Sequence, residues 1–305
     1  MILETTNLTK QFGKTTALNQ VSLQIQEGEI FGLVGPDGAG KTTFIRTVLG
    51  LYLPTSGRFE LLNSENPENI KSQIGYVPQE FSLSQDMTVW ENLSLFGSLY
   101  GISGKRFNQR AHELLQLVRM EPFKDRLAGN LSGGMKQKLA LTAGLLHAPK
   151  FLILDEPTTG VDPVSRREFW QLLYKLNKEG LTLLVSTPYM DEVELCHRLA
   201  FFHHGEIKAV GSPEELLAQY PHQILALEGK NLRSMLSNLQ QIPALDVYMQ
   251  RQKVHIILDK NQTDSIPKIE KFLSSIPIES PTLTPLSPTL EDLFSTLSAD
   301  QEVAL

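Results

Sequence analysis

Cysteine is nearly absent from this chain of 305 residues, and so are the signals of secretion and membrane insertion. The single cysteine, Cys196, excludes an intramolecular disulfide framework and fits a reducing compartment. We predict that it is a small buried apolar residue and not a reactive thiol. Residues 1–13 lack the basic and apolar segments of a signal peptide, and apolar runs such as residues 151–154 are far too short to span a bilayer. We therefore predict a soluble protein that reaches a membrane only through a partner.

Basic residues are in the minority. Lysine and arginine number 28 against 34 aspartate and glutamate, which gives a formal net charge of −6, and no lysine/arginine block occurs. Such a balance offers no electrostatic surface for nucleic acid, so no nucleic-acid partner is expected. The length is too great for one small domain and suits one large and one small domain.

The stretch at residues 31–50 is the most informative in the chain. An apolar strand leads into a Gly-x4-Gly-Lys-Thr segment, and an amphipathic helix follows, which is the order of a P-loop. The loop residues are Gly35, Pro36, Asp37, Gly38, Ala39, Gly40, Lys41, Thr42 and Thr43. Backbone N–H groups of such a loop surround phosphates, Lys41 neutralises the β- and γ-phosphate charge, and the Thr42 hydroxyl can ligate Mg²⁺. The alternative is a glycine-rich turn between two core elements, and the flanking strand and helix argue against it.

Strands and helices alternate through the first part of the chain. Short strands with alternating apolar residues predict an antiparallel β-layer over residues 3–34. An all-helical insert follows at about residues 81–147, and it contains Leu-Ser-Gly-Gly-Met-Lys-Gln at residues 131–137, with Ser132 as the predicted N-cap of a helix. The fold class is therefore α/β: a P-loop NTPase core with an antiparallel β-layer and an inserted helical subdomain over residues 1–220.

Two acidic residues, Asp155 and Glu156, follow a run of four apolar residues at 151–154. Such a run predicts a strand that is buried on both faces of a parallel sheet, and its acids emerge at the carboxyl edge, where ligands bind. Beside a P-loop, metal and base roles are favoured over a solvated strand end.

A hairpin completes the first domain near residue 220. His203 and His204 are adjacent in its sequence. Because neighbouring strand residues point to opposite faces, we interpret both as ordinary hairpin residues and not as ligands of one metal.

The character of the chain changes after Pro221. A strand, a helix, a hairpin, another helix and a last strand near residues 276–278 predict a small α+β domain over residues 221–305. A connector rich in serine, threonine and proline at residues 279–288 leads to a final short helix. No motif in this domain resembles a catalytic group, so an accessory role is predicted.

The motifs in this order resemble those of the nucleotide-binding subunit of ATP-binding cassette (ABC) proteins. The resemblance covers residues 1–220 and depends above all on residues 131–137, the signature segment, because P-loops occur in many other NTPases. The tail looks like the C-terminal extension of ATPases that serve ABC-2-type exporters. The resemblance implies that ATP and Mg²⁺ are bound and that two such subunits, identical or different, enclose two ATP molecules head to tail.

The resemblance also implies roles at single positions. Lys41 and the P-loop amides would hold the phosphates, and Glu156 would polarise the attacking water. The residues around Mg²⁺ would be Thr42, Gln79 and Asp155. Phe12 stands where the family stacks an aromatic ring on adenine.

Across the predicted dimer, the signature would contact the γ-phosphate held by the other subunit. The signature residues are Leu131, Ser132, Gly133, Gly134 and Gln137. A signature at a helix start suits that task, because such a start is an anion site. Asp162 matches the loop that contacts the other subunit.

Two positions depart from the family pattern. Asp37 stands where asparagine or serine is usual, and we expect little effect. Pro188 stands where a histidine usually donates to the γ-phosphate, and proline cannot donate from side chain or backbone. Locally, Thr187 and Pro188 are interpreted as the N-cap and first residue of a helix.

The sequence is therefore interpreted as the ATP-hydrolysing subunit of an ABC-2-type exporter. It would lie on the cytoplasmic face of a membrane, docked on a separate transmembrane partner through the helical insert. One alternative is an ATP-binding switch subunit whose own hydrolysis is negligible because of Pro188. Another is a soluble ABC protein that acts on nucleic acid or ribosomes.

Overall fold

Alternating apolar residues near the N-terminus form a three-stranded antiparallel sheet. A computed structural model describes residues 1–242, 244–250, 252–259, 265–276 and 278–299, and divides into units at Met1–Pro213 and Glu214–Leu305. In the first unit, β1 (Leu3–Phe12) lies between β2 (Thr15–Ile25) and β4 (Ser56–Leu61). The apolar positions of β2, such as Val21 and Leu23, are buried as the alternation predicts.

A six-stranded sheet forms the centre of the first unit. Its members are β3 (Ile30–Val34), β5 (Ile74–Val77), β6 (Phe151–Asp155), β7 (Thr182–Thr187), β8 (Arg198–His203) and β9 (Glu206–Gly211). Their order is β5-β6-β7-β3-β8-β9; neighbours from β5 to β8 are parallel, and β9 is antiparallel to β8. Because β3, β6 and β7 are parallel, their carboxyl ends lie at one edge, which brings the P-loop and the Asp155–Glu156 segment together.

The central sheet separates two hydrophobic cores. In β6, Phe151 and Ile153 face the core shared with the three-stranded sheet, and Leu152 and Leu154 face the core shared with the helices. Burial on both faces explains why this strand is apolar throughout.

The helices of the first unit are α1 (Lys41–Val48), α2 (Val89–Leu99), α3 (Gly104–Leu117), α4 (Gly133–Leu145), α5 (Pro163–Lys178) and α6 (Met190–Val193); α7 (Pro213–Ala218) begins at the last residue of this unit and otherwise belongs to the second. Short 3₁₀ turns occur at residues 67–73, 121–123 and 128–130. Helices α2 to α4 form the predicted insert. Thr88 and Glu91 make a capping box at the start of α2, and Ser132 is the N-cap of α4 as predicted.

One local prediction in the first unit is wrong, and the reason given for another does not hold. Thr187 is the last residue of β7, and α6 begins at Met190 with Tyr189 at the N-cap, so Pro188 precedes the helix. His203 ends β8, but His204 lies in the following turn with φ 48°, and the two rings are 4.2 Å apart instead of on opposite faces. Both histidines belong to the predicted hairpin, but the turn breaks the strand alternation from which we inferred that they point to opposite faces.

The second unit contains a four-stranded antiparallel sheet of order β11-β12-β10-β13. The strands are β10 (His222–Lys230), β11 (Asp246–Gln250), β12 (Lys253–Asp259) and β13 (Glu279–Leu286). Besides α7, its helices are α8 (Leu236–Leu239), which follows a 3₁₀ turn at Leu232–Met235, α9 (Ser265–Leu273) and α10 (Leu290–Ala299). Thr289 and Asp292 bond reciprocally at the start of α10, which fixes the beginning of that helix.

The predicted connector at residues 279–288 is largely a strand. β13 pairs antiparallel with β10, so the last strand begins at Glu279 and not near residues 276–278 as predicted. Pro277 lies outside the described residues. Pro281 and Pro285 are tolerated because β13 is at the sheet edge, where a missing N–H breaks no ladder between two neighbours. Residues 300–305 of the predicted C-terminal domain also lie outside the described part.

The described helices give no candidate for a membrane span, because none combines the necessary length with sufficient apolar character.

Candidate nucleotide site

The loop between β3 and α1 has a backbone that only glycine allows at two points. Gly35 has φ 153°, and a Cβ there would lie 2.2 Å from the carbonyl oxygen of Phe202. Gly40 has φ 110°, and a Cβ there would lie 2.7 Å from the carbonyl oxygen of Ala17. These glycines therefore give the loop its close packing and its turn into α1. Asp37 is exposed in this loop.

Lys41 is buried under this loop at the first turn of α1. Its Nζ donates to the carbonyl oxygens of Gly35 at 2.7 Å and Pro36 at 3.1 Å, and it lies 3.3 Å from Glu156 Oε1. The ammonium is therefore fixed where the loop closes, beside a carboxylate from the end of β6. Thr42 and Thr43 follow on α1 and are partly exposed.

Asp155 lies between two hydroxyl groups at the sheet edge. Thr42 Oγ1 donates to Asp155 Oδ1 at 3.1 Å, and Ser186 Oγ donates to the same oxygen at 2.7 Å. The other oxygen, Oδ2, is buried and has no hydrogen-bond partner within the described residues. A buried carboxylate oxygen without a partner, next to a threonine hydroxyl, is an arrangement of hard oxygen donors that suits Mg²⁺.

Besides Lys41, three residues hold Glu156 at its carboxylate and backbone. Its Oε2 accepts from Gln79 Nε2 at 3.0 Å and Thr159 Oγ1 at 3.3 Å, and its backbone N–H donates to Ser186 Oγ at 2.9 Å. Its φ is 48°, a conformation that costs a non-glycine residue about 1–3 kcal/mol and that clusters at functional sites. Asp155 and Glu156 are 0% and 5% exposed, so a solvated strand end is excluded.

The segment that contains Pro188 is held by Glu192. Thr187 Oγ1 donates to Glu192 Oε2 at 2.6 Å, and Thr158 Oγ1 donates to Oε1 at 2.5 Å. Glu192 is 1% exposed, and Arg166 Nε lies 3.7 Å from its Oε1. The carboxylate therefore joins the end of β7, the segment after Glu156 and helix α5.

The Thr187 hydroxyl has a second bond, from the backbone N–H of Tyr189 at 3.0 Å. The Arg166 guanidinium lies 4.1 Å from the centroid of the Tyr189 ring, within the range of a cation–π contact. The residues on both sides of Pro188 are thus held by protein groups.

The signature residues lie at the start of α4 beside the start of α5. Ser132 and Gly133 are exposed, Leu131 is buried, and Gln137 is partly exposed on α4. A Cβ at Gly134 would lie 2.9 Å from Ser165 Cβ, so glycine is needed for this approach. No hydrogen bond joins residues 131–137 to the P-loop within the described ranges.

Asp162 caps α5 next to the signature. Its Oδ1 accepts from the backbone N–H groups of Val164 at 3.1 Å and Ser165 at 3.0 Å. Hydrogen bonds from Ser165, from its side chain first and its backbone second, lower the pKa of the Asp162 carboxyl. The side chain is exposed, so this loop is accessible to another molecule.

Phe12 ends β1 and is 44% exposed. Its ring meets the ring of Tyr52 edge-on at 5.2 Å, and Lys10 Nζ lies 4.9 Å from its centroid. Tyr52 accepts a hydrogen bond at its hydroxyl from Arg46 at 3.1 Å, and this bond is the main reason that the pKa of Arg46 is raised.

The structure thus brings Lys41, Thr42, Gln79, Asp155 and Glu156 into one hydrogen-bonded cluster and leaves the signature and Asp162 in a second cluster. The sequence interpretation missed several contributors: Lys10, Arg46, Tyr52, Thr158, Arg166, Ser186 and Glu192. Ser186 had a usable signal, because it faces Asp155 in the parallel register of two apolar strands.

Comparisons with known proteins agree with the family resemblance of the motifs. The sequence pattern of the family described as "ABC transporter" matches residues 18–159. The chain is 38% identical over 284 residues to the probable multidrug ABC transporter ATP-binding protein YbhF of Escherichia coli (strain K12), a match to 91% of this chain but 48% of that protein. The chain thus spans about half the length of that relative.

A second relative, similar in size to this chain, is matched over a larger share of its own length. The Nod factor export ATP-binding protein I of Rhizobium sp. (strain N33) is 38% identical over 252 residues, with 80% of each chain matched. Among solved structures, cbiO1 from Clostridium perfringens, part of the complex cbiONQ, aligns with a TM-score of 0.66 and 30% identity over 72% of this chain and 91% of that one. The dimeric cassette MJ0796 bound to ADP and Pi aligns at 0.63 and 29%, over 69% of this chain and 98% of its own.

Proposed function

Because this chain belongs to the ABC transporter family as an ATP-binding protein, we propose that it binds and hydrolyses ATP to power an ABC-2-type exporter through a separate transmembrane partner. The observation that carries the proposal is Glu156, a buried carboxylate fixed by Lys41, Gln79 and Thr159 beside the unpaired oxygen of Asp155. The similarity to the Nod factor export ATP-binding protein of Rhizobium supports the export part of the proposal.

Each residue of the cluster has a distinct task in this proposal. Lys41 and the loop amides bind the β- and γ-phosphates of ATP. Thr42, Asp155 and the amide oxygen of Gln79 would hold Mg²⁺, which would neutralise phosphate charge. Glu156 orients the attacking water and accepts its proton, and the groups that fix the carboxylate exclude bulk water.

The signature and Asp162 act on a second subunit in this proposal. Two features support it: the start of α4 is exposed at Ser132 and Gly133, and it has no hydrogen bond to the P-loop of its own chain in the described ranges. Exposed N–H groups at a helix start bind anions, so the γ-phosphate held by another P-loop is a suitable ligand.

Mixing two inactive variants tests this arrangement. Lys41→Ala removes the phosphate cation, and Ser132→Arg blocks the signature, so neither homodimer has an intact site. A mixed dimer contains one intact site, formed by the P-loop of the Ser132→Arg chain and the signature of the Lys41→Ala chain. Recovery of ATP turnover on mixing is expected, and its absence with two folded variants would contradict the arrangement.

The transmembrane partner docks on the helical insert in this proposal. On α2, the side chains of Leu95 and Leu99 are 44% and 71% exposed. Because they are four residues apart, they lie on the same side of the helix and expose apolar surface to water there. The partner would place the chain on the cytoplasmic face of the membrane.

Copurification with a polytopic membrane protein tests docking. Glu substitutions at Leu95 and Leu99 should abolish copurification and leave ATP binding unchanged. Leu53→Glu is the matched control, because Leu53 is 79% exposed but lies outside the insert. Equal copurification of all three variants would place the partner elsewhere.

Hydrolysis is slow in this proposal, because Pro188 provides no donor to the γ-phosphate. Thr187 is a poor substitute, since its hydroxyl already donates to Glu192. The same observation favours a second candidate, an ATP-binding switch with negligible turnover of its own. Turnover by the purified chain, compared with the Glu156→Gln variant as background, distinguishes the two candidates.

A further inference from the structure

The turn at residues 51–55 is attached both to the helix that begins with Lys41 and to the strand that ends with Phe12. On the helix side, the backbone N–H groups of Leu51 and Tyr52 donate to the carbonyl oxygen of Arg46 at 2.9 and 3.1 Å. The Tyr52 hydroxyl accepts from the Arg46 side chain at 3.1 Å. The turn therefore continues from the C-terminal end of α1.

Three bonds attach the same turn to β1. Lys10 Nζ donates to the carbonyl oxygen of Leu53 at 2.8 Å, and the backbone N–H of Thr55 donates to Thr9 at 2.8 Å. The backbone N–H of Gln11 donates to Thr55 Oγ1 at 3.0 Å. A displacement of this turn would move the end of β1, and with it Phe12.

Tyr52 faces Phe12 from this turn, in a group with two cations. The rings are 5.2 Å apart at an interplanar angle of 80°, the edge-to-face geometry that aromatic pairs prefer. Lys10 Nζ lies 4.9 Å from the Phe12 centroid and 5.8 Å from the Tyr52 centroid. Arg46 Cζ lies 5.9 Å from the Tyr52 ring on the side of α1.

We infer that Tyr52 is a positioning residue of the nucleobase site. It holds the Phe12 ring in the orientation that a purine stacks on, and it fixes the distance between that ring and the phosphate-binding start of α1. Lys10 and Arg46 keep the Tyr52 ring in place. A half-exposed aromatic ring with cations close by suits a flat, electron-rich base that carries phosphate. This inference rests on the proposed role of Phe12 in binding adenine.

Comparing two ligands separates the base site from the phosphate site. ATP uses both, whereas inorganic tripolyphosphate with Mg²⁺ uses only the P-loop. In titration calorimetry, Tyr52→Leu, which retains apolar volume but loses the ring, should weaken ATP binding about threefold to tenfold and leave tripolyphosphate binding unchanged. Tyr52→Phe should restore ATP affinity to within about twofold of the original, because it restores the ring contact.

Leu53→Ala is the matched control, because Leu53 is the next residue of the turn and contributes its backbone oxygen to Lys10. It should leave both ligands unchanged. The inference is overturned if Tyr52→Leu binds ATP normally, or if it loses ATP and tripolyphosphate equally, which indicates a general loss of loop structure. An unchanged ATP affinity in Phe12→Ala would mean that the base binds elsewhere, and the inference would then fail together with the proposed role of Phe12.

Discussion

Lys41 Nζ lies 3.3 Å from Glu156 Oε1, and both side chains are buried. The cation of the P-loop is thus paired with the carboxylate proposed as the catalytic base. A phosphate that enters the loop competes with Glu156 for the same ammonium. In the proposed mechanism, binding therefore exchanges one anion for another at Lys41, and the carboxylate released in this exchange becomes available to water.

Glu156→Gln is expected to bind ATP at least as tightly as the original chain, by up to about tenfold, because one competitor for Lys41 loses its charge. Turnover is expected to fall by roughly 10²- to 10⁴-fold, the usual contribution of a general base. The variant with ATP should therefore accumulate as a dimer in size-exclusion chromatography. Retained turnover would remove Glu156 from the role of base.

Lys41→Ala is expected to abolish detectable ATP binding, because the charge that holds the phosphates is lost. It also leaves the Glu156 carboxylate buried without its cation, which destabilises a protein by about 3–5 kcal/mol. Calorimetric titration and urea unfolding measure the two effects. Lys41→Ala combined with Glu156→Gln should regain most of the stability and none of the ATP binding, a separation that a simple folding defect would not give.

Glu192 connects three segments around the site, so its removal is expected to affect stability and turnover. Glu192→Ala leaves the hydroxyls of Thr158 and Thr187 without their acceptor and should lower the free energy of unfolding by about 3 kcal/mol. Glu194→Ala, an exposed change just after α6, is the control and should stay within about 0.5 kcal/mol. Equal unfolding midpoints for the two variants would contradict the bridging role.

The sequence predicted the parts of the site that depend on local chemistry. The P-loop, the acidic end of β6 and the cap at Ser132 each lie within a short segment whose residue types determine the backbone, and the parallel sheet brings the first two to one edge. The family membership of the chain followed from the order of these segments.

Features that depend on distant pairing were not predicted. The proline-containing segment at Glu279–Leu286 becomes a strand only because β10 offers it an edge. Glu192 is one of several acids in Met-Asp-Glu-Val-Glu, and only the packing of α6 against β7 buries this one. Tyr52 follows the helix after the P-loop in a turn with no motif of its own, and its contact with Phe12 is set by tertiary structure.

Cys196 is expected to be unreactive in the folded chain. It is buried, and burial raises the pKa of its thiol far above the ordinary value. An aromatic disulfide reagent should therefore detect no thiol in native protein and one thiol after denaturation. Rapid reaction of the native chain would mean that the region around β3 and α6 opens readily.

The same shift makes stability depend on pH. The folded state retains the thiol proton above about pH 8.5, where the unfolded state loses it, so the free energy of unfolding should fall as the pH rises through that value, by about 1.4 kcal/mol per unit. Cys196→Ala should lose this component of the slope. Parallel profiles for the two proteins between pH 8 and 10 would contradict the expectation.

The accessory role of the second unit predicts the result of truncation. All residues of the phosphate cluster lie in Met1–Pro213, so removal of residues 222–305 should leave ATP binding within about twofold and weaken dimerisation or assembly with the membrane partner. Calorimetric titration and size-exclusion chromatography measure these effects. Loss of ATP binding by a folded truncated chain would mean that the proposed boundary is wrong.

Pro188 gives the most direct test of the proposed mechanism. A donor to transition-state charge commonly contributes on the order of 10²- to 10³-fold in rate, and a homodimer of this chain lacks that donor at both sites. Pro188→His should therefore increase turnover, by up to about 10²-fold, with little change in ATP affinity, because Lys41 and the loop amides provide most of the ground-state binding.

Strain at a helix start would confound that experiment. Pro188 lies before the N-cap of α6 and outside the helix, so its replacement is expected to leave the first turn unchanged. Pro188→Ala, which also removes the proline ring but adds no side-chain donor, is the matched control, and its turnover should remain slow. Thermal melting verifies that both variants fold. If Pro188→His folds, binds ATP equally and turns it over no faster than Pro188→Ala, the missing donor does not limit hydrolysis, and the residues that hold this segment, Glu192 and Arg166 above all, become the next positions to vary.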